Sequence, residues 1–488
     1  MALSGSLALA LLFSLLSCYA SVPSLASSDG FIQCLSAAIP RQLLYTQSSP
    51  SFTSVLVSSI RNPKFSTPGT VRLLCIVTPT NASHVQAAVV CGRRNDVRIR
   101  VRSGGHDYEG LSYRSARPEV FAVVDLANLR SVRVDQKAAT AWVDSGATLG
   151  GLYYAVSKAS SQLAFPAGLC PTIGVGGHFS GGGFGMLLRK YGVAIDNVLD
   201  ATLVDANGRI LDKQAMGADV FWAIRGGGGE SFGIVLSWQM ARGRPSSPRR
   251  SFHQGGRAET GSQLRVHVPG DARHAAAADA QPLPGARAQP DALQGDDVDP
   301  VRAVHLPGQR RHRGGHPEPD HRHQVLQQGH VYVRQAIPKD VWVKIFAWLG
   351  KPDAGLMIMD PYGGKIGSPP ESATPFPHRG GVLYNIQYMN FWSAATDGSA
   401  QTRWLKDLYA FMGPYVSKNP REAYANYRDL DLGQNVVVGN VTSYEAGKVW
   451  GEKYYKGNFQ RLATAKSKVD PDDYFRNEQS IPPLPATK

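Results

Sequence analysis

The stretch RSGGHDYEGLSYRS places a histidine and two acids among glycines and tyrosines. His106 could attach or bind a ligand on a glycine loop, or it could be an ordinary turn residue beside Gly104 and Gly105. Glycines are also concentrated in two later stretches, GVGGHFSGGGFG and RGGGGESFG. Tight turns of this kind let backbone N–H groups approach a ligand closely. Neither stretch has the G-x-G-x-x-G spacing of a dinucleotide fold, so the glycines predict a ligand site and argue against a Rossmann fold.

The elements around these loops alternate between strands and helices from residue 70 to residue 240. DVRIRVRS and EVFAVVDL have strand composition, and SHVQAAVVCG has helical periodicity. TLVDANGRILD has the pattern of two short strands around a turn at Ala206-Asn207-Gly208. This order predicts an α+β domain that positions the glycine loops.

The N-terminus has the composition of a secretory signal peptide over residues 1–26. Its apolar run from Leu7 to Leu16 is too short to span a bilayer, and small residues suited to cleavage follow at Ala20 and Ala26. No later run reaches the roughly 18 apolar residues that a membrane helix needs. With 488 residues, 43% of them apolar and 18% charged, the chain is expected to form two or three globular domains and to be secreted, to the extracellular space or the cell wall.

Four cysteines remain once the signal peptide is removed, and four cysteines allow three pairings. They lack C-x-x-C spacing, which argues against structural zinc. The formal net charge of +14 could indicate nucleic acid, but a secreted protein meets acidic cell-wall polymers or membrane surfaces first, so no nucleic-acid partner is expected. The cysteines are Cys34, Cys75, Cys91 and Cys170, and the candidate glycosylation sequons begin at Asn81 and Asn440.

Residues 240–330 differ in composition from both flanks. The stretch lacks Ile, Tyr, Trp, Cys, Asn and Lys and contains nine of the 13 histidines of the chain, so it can hardly bury a core. Four of its histidines have a spacing that metal ligands can have. The mixture of Arg, Ala, Pro, Gly, His and Gln is, however, what a GC-rich gene encodes when it is read out of frame. We therefore expect the segment to be frameshifted or disordered and expect no metal site. The four histidines are His312, His316, His321 and His323.

Residues 31–239 and 331–483 closely resemble the plant berberine bridge enzyme-like flavoproteins, members of the vanillyl-alcohol-oxidase class of FAD enzymes. SGGHDYEG matches the motif whose histidine these proteins join to the flavin 8α-methyl, and PAGLCPTIGVGGHFSGGGFG matches the motif whose cysteine they join to flavin C6. NYRDLDLG, YYKGNFQRL and DPDDYFRNEQSIPP match the C-terminal segment of the family. The resemblance implies an FAD attached covalently to both His106 and Cys170, which would explain why His106 stands among glycines.

The resemblance also implies an architecture. The fold would be α+β, with a PCMH-type FAD-binding domain built from two parts of the chain, 27–245 and 425–488. A substrate-binding α+β domain, 246–424, would be inserted between them. A disulfide would join Cys34 to Cys91.

Such a fold implies a set of cofactor contacts and leaves Cys75 as an extra thiol. The implied cofactor-binding residues are His106, Cys170, Ser103, Gly104, Gly105, Gly110, Gly174, Gly176, Gly177, His178, Gly181, Gly182, Ile234 and Asn458.

The chemistry of the family is oxidation of an alcohol or amine carbon by hydride transfer to the flavin, while a base removes the hydroxyl proton. Tyr427 in NYRDLDLG matches the tyrosine that serves as this base in alcohol-oxidising members, and Tyr108 lies two residues past the flavin histidine. A free tyrosine has a pKa near 10 and is a poor base at neutral pH, so the base needs a depressed pKa. Either tyrosine could instead be a packed aromatic with a bonded hydroxyl.

The strand LYNIQYMNFW carries two amides, Asn385 and Gln387, and strand alternation puts both on one face, where they can face the pocket. The alkaloid-cyclising member of the family has a glutamate base at the position of Gln387, so berberine-bridge chemistry is disfavoured. Monolignol-oxidising members have lysine where this chain has Asn385 and tyrosine where it has Phe184. A cation that would lower the pKa of Tyr427 is therefore missing, and the expected substrate is another alcohol-bearing small molecule or a carbohydrate.

Ile173 stands at a position that, in this family, controls the access of oxygen to the reduced flavin. A bulky β-branched residue there favours slow reaction with oxygen, although Ile173 could also be an ordinary core residue. The chain is thus expected to be an FAD-linked oxidase or dehydrogenase acting on CH–OH donors, with oxygen or another electron acceptor. Two other functions stay open: a catalytically impaired flavin binder or pseudoenzyme, if the segment 240–330 is real, and a basic polyanion binder, which rests on charge alone.

Overall fold

The computed structural model has three larger sheets, a two-stranded ribbon and the helices packed on them. Three predicted features lie wholly or largely outside the residues that the structure describes. They are the four closely spaced histidines, most of the anomalous segment 240–330 and nearly all of the predicted signal peptide. These described residues are 25–66, 73–161, 163–241, 264–266, 324–393 and 395–485.

The first sheet, in the order β1-β2-β4-β3, ends where the loop of His106 begins. Its strands β2, β4 and β3 are parallel, and β1 is antiparallel to β2. The three parallel strands are almost entirely buried, as parallel strands covered on both faces are. The strands are β1 (Leu44–Thr46), β2 (Cys75–Val77), β3 (Arg98–Arg102) and β4 (Phe121–Asp125), and the helices in this part of the chain are α1 (Leu25–Ala38), α2 (Phe52–Val57) and α3 (Ala82–Arg94).

A disulfide between Cys34 on α1 and Cys91 on α3 ties these two helices together, with 5.7 Å between the Cα atoms. The predicted pairing is confirmed. The two cysteines are 57 residues apart in the sequence, and in the chain-entropy treatment closing a loop of this length stabilises the fold by about 4 kcal/mol. Cys75 is a buried free thiol in β2, and burial raises its pKa to about 12, so it is unreactive at neutral pH.

The second sheet, in the order β5-β6-β9-β7-β8, is antiparallel throughout and packs against the largest hydrophobic core. Its predicted turn is confirmed, because Gly208 joins β7 to β8 with a φ of +75°, a conformation that favours glycine. The strands are β5 (Val132–Asp135), β6 (Thr140–Asp144), β7 (Val198–Val204), β8 (Ile210–Leu211) and β9 (Ile234–Ala241), and the helices are α4 (Leu149–Ala159), α5 (Val175–Ser180), α6 (Leu188–Tyr191) and α7 (Lys213–Ile224).

The third sheet, in the order β10-β12-β13-β11, is antiparallel and is covered on one face by α8 and α9. Ile386 and Tyr388 of β13 pack into the core beneath these helices. Asn385 and Gln387 therefore share the opposite face, as strand alternation requires. The elements are β10 (Leu264–Val266), β11 (Gln324–Val333), β12 (Leu356–Pro361), β13 (Tyr384–Ser393), α8 (Lys339–Leu349) and α9 (Ser399–Phe411).

The anomalous segment is narrower than predicted. Met240 pairs with β6 as part of β9, and residues 324–330 pair with β13 along their whole length as the first part of β11. Gln328 and His330 are buried, with 4% and 3% of their surfaces exposed. The expectation that residues 240–330 do not fold is wrong at these two ends and also at 264–266, which pair with β12 as β10. Pairing with distant strands supplies contacts that local composition does not reveal.

The C-terminal segment returns to the first two sheets. Lys466 on α11 is fully buried and donates to Asp470 Oδ2 at 2.7 Å and to the carbonyl of Ser231 at 2.7 Å. Arg100 on β3 donates to Glu478 at 3.2 Å, again with both side chains buried. These contacts attach the last residues of the chain to the N-terminal part, and the predicted α+β class is confirmed. The remaining elements are β14 (Val437–Val438), β15 (Val441–Thr442), α10 (Tyr444–Tyr455) and α11 (Asn458–Val469).

Candidate functional site

A cavity of about 620 Å³ opens where the three sheets meet. Its walls come from the loop after β3, the residues around α5, the start of β9, one face of β12 and β13, and residues 424–428. This volume is typical of sites for small molecules and cofactors. The predicted site residues that line it are Ser103, Gly104, Gly105, His106, Tyr108, Cys170, Gly174, Gly176, Gly177, His178, Ile234, Gln387 and Tyr427.

Two glycine loops in direct contact build one wall. Gly105 has a φ of +69°, a left-handed conformation that favours glycine. A Cβ atom on Gly174 would collide with the backbone nitrogen of Gly104. Only glycines allow this approach, which brings the loop of His106 against the loop of Cys170.

The hydroxyl of Thr172 links the two residues predicted to hold the flavin. Its Oγ1 lies 2.9 Å from His106 Nε2 and 3.8 Å from Cys170 Sγ. Burial, with a smaller contribution from Arg61, lowers the pKa of His106 to about 4, so the imidazole is neutral at pH 7 and has the form that a nucleophile needs. Cys170 is an exposed free thiol.

The neighbouring polar side chains of this wall make bonds within the protein. His178 Nε2 accepts the N–H of Gly168 at 2.9 Å, and burial, followed by the effect of His106, lowers the pKa of His178 to about 4. Ser103 Oγ donates to the carbonyl of Ser145 at 2.5 Å. These bonds fix the shape of the wall.

Two tyrosines and an amide form the inner end of the cavity. Gln387 Nε2 donates to the hydroxyl of Tyr108 at 2.9 Å, and the rings of Tyr108 and Tyr427 meet edge to face at 5.9 Å. Phe184 packs edge-on against Tyr427 at 5.8 Å. Burial is the main cause that raises the pKa of Tyr108 to about 12 and that of Tyr427 well above its usual value. Both phenols are therefore neutral at pH 7.

Asn385 lies beyond this end and does not line the cavity. It is fully buried and interacts with His330 and Tyr362. The face that it shares with Gln387 thus continues past the cavity into the protein interior.

Four other predicted cofactor-binding residues also lie outside the lining. Gly110 and Gly182 have positive φ angles and pack against Phe65 and Phe376, respectively. Gly181 packs against Asn426. Asn458 turns its amide to main-chain carbonyls, donating to those of Glu371, Thr374 and Pro375 at 2.8, 3.1 and 3.3 Å.

The charged residues of the cavity that sequence reasoning missed include Glu230 and Arg428. Glu230 accepts the N–H of Val101 at 2.7 Å, and burial raises its pKa to about 7. Arg428 donates to Asp107 at 2.9 Å. Both belong to stretches that already figured in the prediction, RGGGGESFG and NYRDLDLG. In these stretches, however, a role was predicted only for the glycines of the first and the tyrosine of the second.

The residues present fit an FAD. Gly177 lines the cavity, and a Cβ atom there would meet no protein atom within 4 Å, so this part of the glycine wall leaves room for a flat ring system. A neutral imidazole and a thiol stand side by side at one edge, and proton-carrying side chains stand at the inner end.

Comparison with known proteins supports this fit. Residues 73–213 match a family described as "FAD binding domain", and residues 423–482 match one described as "Berberine and berberine like". The chain is 55% identical over 487 residues to berberine bridge enzyme-like Cyn d 4 of Cynodon dactylon, covering 93% of each protein. It is 41% identical to berberine bridge enzyme-like 27 of Arabidopsis thaliana, covering 93% of this chain and 92% of that protein. The chain belongs to the berberine bridge enzyme-like family.

Solved structures of this family agree with the fold. Phl p 4, described as a grass pollen allergen with glucose dehydrogenase activity, matches with a TM-score of 0.79 and 50% identity over 93% of this chain and 99% of that one. A Phl p 4 variant described as a glucose oxidase matches with a TM-score of 0.78 and 49% identity over 93% and 99%. Berberine bridge enzyme itself, as a variant, matches with a TM-score of 0.74 and 30% identity over 94% and 100%.

The predicted resemblance is thereby confirmed. This berberine bridge enzyme-like protein is an FAD-linked oxidoreductase with an α+β fold. Within the described residues, no helix combines the length and the apolar character needed to cross a membrane.

Proposed function

We propose that this protein is a secreted sugar dehydrogenase that carries FAD on both His106 and Cys170. The observation that carries the proposal is that one cavity holds the Thr172-linked pair at one edge and the Tyr108–Gln387–Tyr427 group at its inner end. The glucose dehydrogenase activity in the description of Phl p 4 supports the substrate class.

Different protein residues bind the sugar and take its proton in the proposed reaction. Bound FAD supplies the hydride acceptor for oxidation of the alcohol carbon. Tyr427 takes the hydroxyl proton of the sugar, and Gln387 orients the sugar together with the hydroxyl of Tyr108, which it holds at 2.9 Å. In the assignment of domains, 27–245 and 425–488 hold the flavin and 246–424 covers the substrate.

Neutral hydrogen-bonding groups at the inner end favour a sugar over an amine or an acid. The hydroxyls of Tyr108 and Tyr427 and the amide of Gln387 offer donors and acceptors to several hydroxyl groups at once. Gln387 cannot accept a proton, so it does not act as the base of an alkaloid cyclisation. Secretion is supported by the signal-peptide composition and by the disulfide between Cys34 and Cys91.

Peptide mass mapping tests the attachment. His106→Ala should leave a flavin on Cys170, Cys170→Ala should leave a flavin on His106, and Cys75→Ala, which removes the other free thiol, should keep both bonds. Each single loss should lower the flavin redox potential, because each bond withdraws electron density from the ring. Release of intact FAD by acid from the unmutated protein would contradict the double attachment.

Turnover of glucose with an artificial electron acceptor tests the reaction. Reduction of the acceptor without oxygen is the expected result, whereas a flavin that glucose leaves oxidised would support the pseudoenzyme.

Ile173 supports the choice of dehydrogenase over oxidase. It lines the cavity three residues past Cys170 and places a β-branched side chain there. Ile173→Val removes one methylene group and should speed reoxidation of the reduced flavin by oxygen without changing the rate of its reduction by glucose. The two half-reactions, measured separately by rapid mixing, check this, and unchanged reoxidation would remove Ile173 as the oxygen barrier.

A further inference from the structure

In the described part of the chain, the main influences on the proposed base favour its phenol over its phenolate. Burial is the main cause that keeps the pKa of Tyr427 high, and Asp360, Tyr108, Tyr424 and Tyr362 act in the same direction. A neutral phenol can accept a proton only if it passes its own proton on. A second group must therefore stand near Tyr427.

His330 stands behind Tyr427, away from the cavity. The two ring centroids are 5.0 Å apart and the planes meet at 73°. His330 is the cross-strand partner of Gln387, so β11 and β13 hold it at the inner end of the site. Gln328 on the same strand donates to the carbonyls of Tyr427 and Arg428 at 3.0 Å each, which fixes the loop of Tyr427 to β11.

The ring nitrogens of His330 are available for a proton. His330 is 3% exposed, and neither nitrogen makes a hydrogen bond of ordinary geometry within the described part of the chain. A hydrogen-bonding interaction with Asn385 raises the pKa of His330, although the two amide atoms of Asn385 also make no bond of ordinary geometry there. Buried polar groups in this condition are costly, so they commonly serve a function.

The surroundings keep His330 neutral between turnovers. Tyr332 and Tyr424 pack at an angle to its ring, at 4.9 and 6.3 Å. Burial, followed by the effect of His378, holds the pKa of His330 well below its usual value. His378 itself lies 3.2 Å from Glu422, which also bonds to Arg334.

We infer that His330 is a positioning residue that receives the phenol proton of Tyr427, so that Tyr427 can take the hydroxyl proton of the sugar without first becoming a phenolate. The inference rests on the proposed function. The O–H bond of the sugar breaks as an O–H bond forms on Tyr427, and the original phenol O–H bond breaks as an N–H bond forms on His330. The electron pair leaves the sugar carbon as hydride in the oxidation proposed above, so this relay moves protons only.

The test is the pH profile of flavin reduction by glucose, measured by anaerobic rapid mixing from pH 5 to 10. In His330→Phe, which keeps a ring, and in His330→Gln, which cannot take a proton, the saturating rate at pH 7 should fall by about 10² to 10⁴. The rate should then rise about tenfold per pH unit, because Tyr427 must ionise first. Tyr332→Phe, a neighbour of His330 on the same strand, should keep the parental profile.

Binding separates this role from a merely structural one. The dissociation constant of 1-deoxyglucose, followed by the change in flavin absorption, should stay at the parental value because His330 does not line the cavity. A loss of rate that is the same at every pH in both variants would overturn the relay. Parental profiles in both variants beside a slow Tyr427→Phe would overturn the relay alone, whereas a Tyr427→Phe as fast as the parent would overturn the base and the relay together.

Discussion

The two ends of the cavity differ in how far their reactive side chains are exposed. At the attachment end, Cys170 is exposed, and a single hydroxyl links it to His106. At the inner end, Tyr108 and Tyr427 pack edge to face, Phe184 packs against Tyr427, and a hydrogen bond from the Gln387 amide holds the hydroxyl of Tyr108. The groups proposed to form a lasting bond thus lie where a partner can reach them, whereas the groups proposed to carry protons are buried, where a charge is costly to form.

The largest effect should come from one hydroxyl at the inner end. Tyr427→Phe keeps the ring and its packing but removes the proton acceptor, so flavin reduction by glucose should slow by about 10² to 10⁴. Stopped-flow absorption measures the rate, and mass mapping should find both flavin bonds intact. Tyr384→Phe, on the opposite face of β13, serves as the control and should react like the parent. Parental speed in Tyr427→Phe would place the base elsewhere.

A smaller effect should appear at the attachment end, as sensitivity to acid. The folded-state pKa of His178, about 4, lies below that of an unfolded histidine, so its contribution to stability is present above pH 6.5 and is lost as the pH falls toward 4. At pH 5 the expected loss is about 2 kcal/mol relative to pH 7. His178→Gln, whose amide oxygen can accept the same N–H of Gly168, should flatten this slope in urea unfolding. A variant as acid-sensitive as the parent would show that His178 is not responsible.

The smallest effect should come from the amide of Gln387, which holds the phenol of Tyr108. Gln387→Met loses the bond to Tyr108, which is worth about 1 kcal/mol, so the rate of flavin reduction should fall less than about tenfold. The pH profile should not move, because an amide does not titrate. A loss above a hundredfold would make Gln387, and not Tyr427, the centre of the inner end.

Much of the site could be predicted from the sequence, because its motifs are local. His106, Cys170 and Tyr427 each lie within a run of a few residues, and all three line the same cavity. Glu230 and Arg428 lie in motifs of the same kind and could have been proposed as site residues. Their contacts could not have been predicted, because the partners Val101 and Asp107 are far away in the sequence.

Other features could not be predicted because they depend on burial and on cross-strand pairing. His330 falls at the end of a stretch whose average composition predicted no fold, and its pairing with Gln387 places it beside the site. Asn458 is the opposite case. Its motif suggested the cofactor, but its amide is used by the main-chain carbonyls of residues 371, 374 and 375.

The buried ammonium of Lys466 ties the C-terminal part of the chain to the cavity wall. It joins α11 to the carbonyl of Ser231, next to Glu230 of the cavity wall, and the N–H of Ile481 donates to the hydroxyl of the same serine. Tyr427 and Arg428 also come from the last part of the chain to be synthesised. A chain that ended before residue 424 would contain both His106 and Cys170 but would lack one side of the cavity.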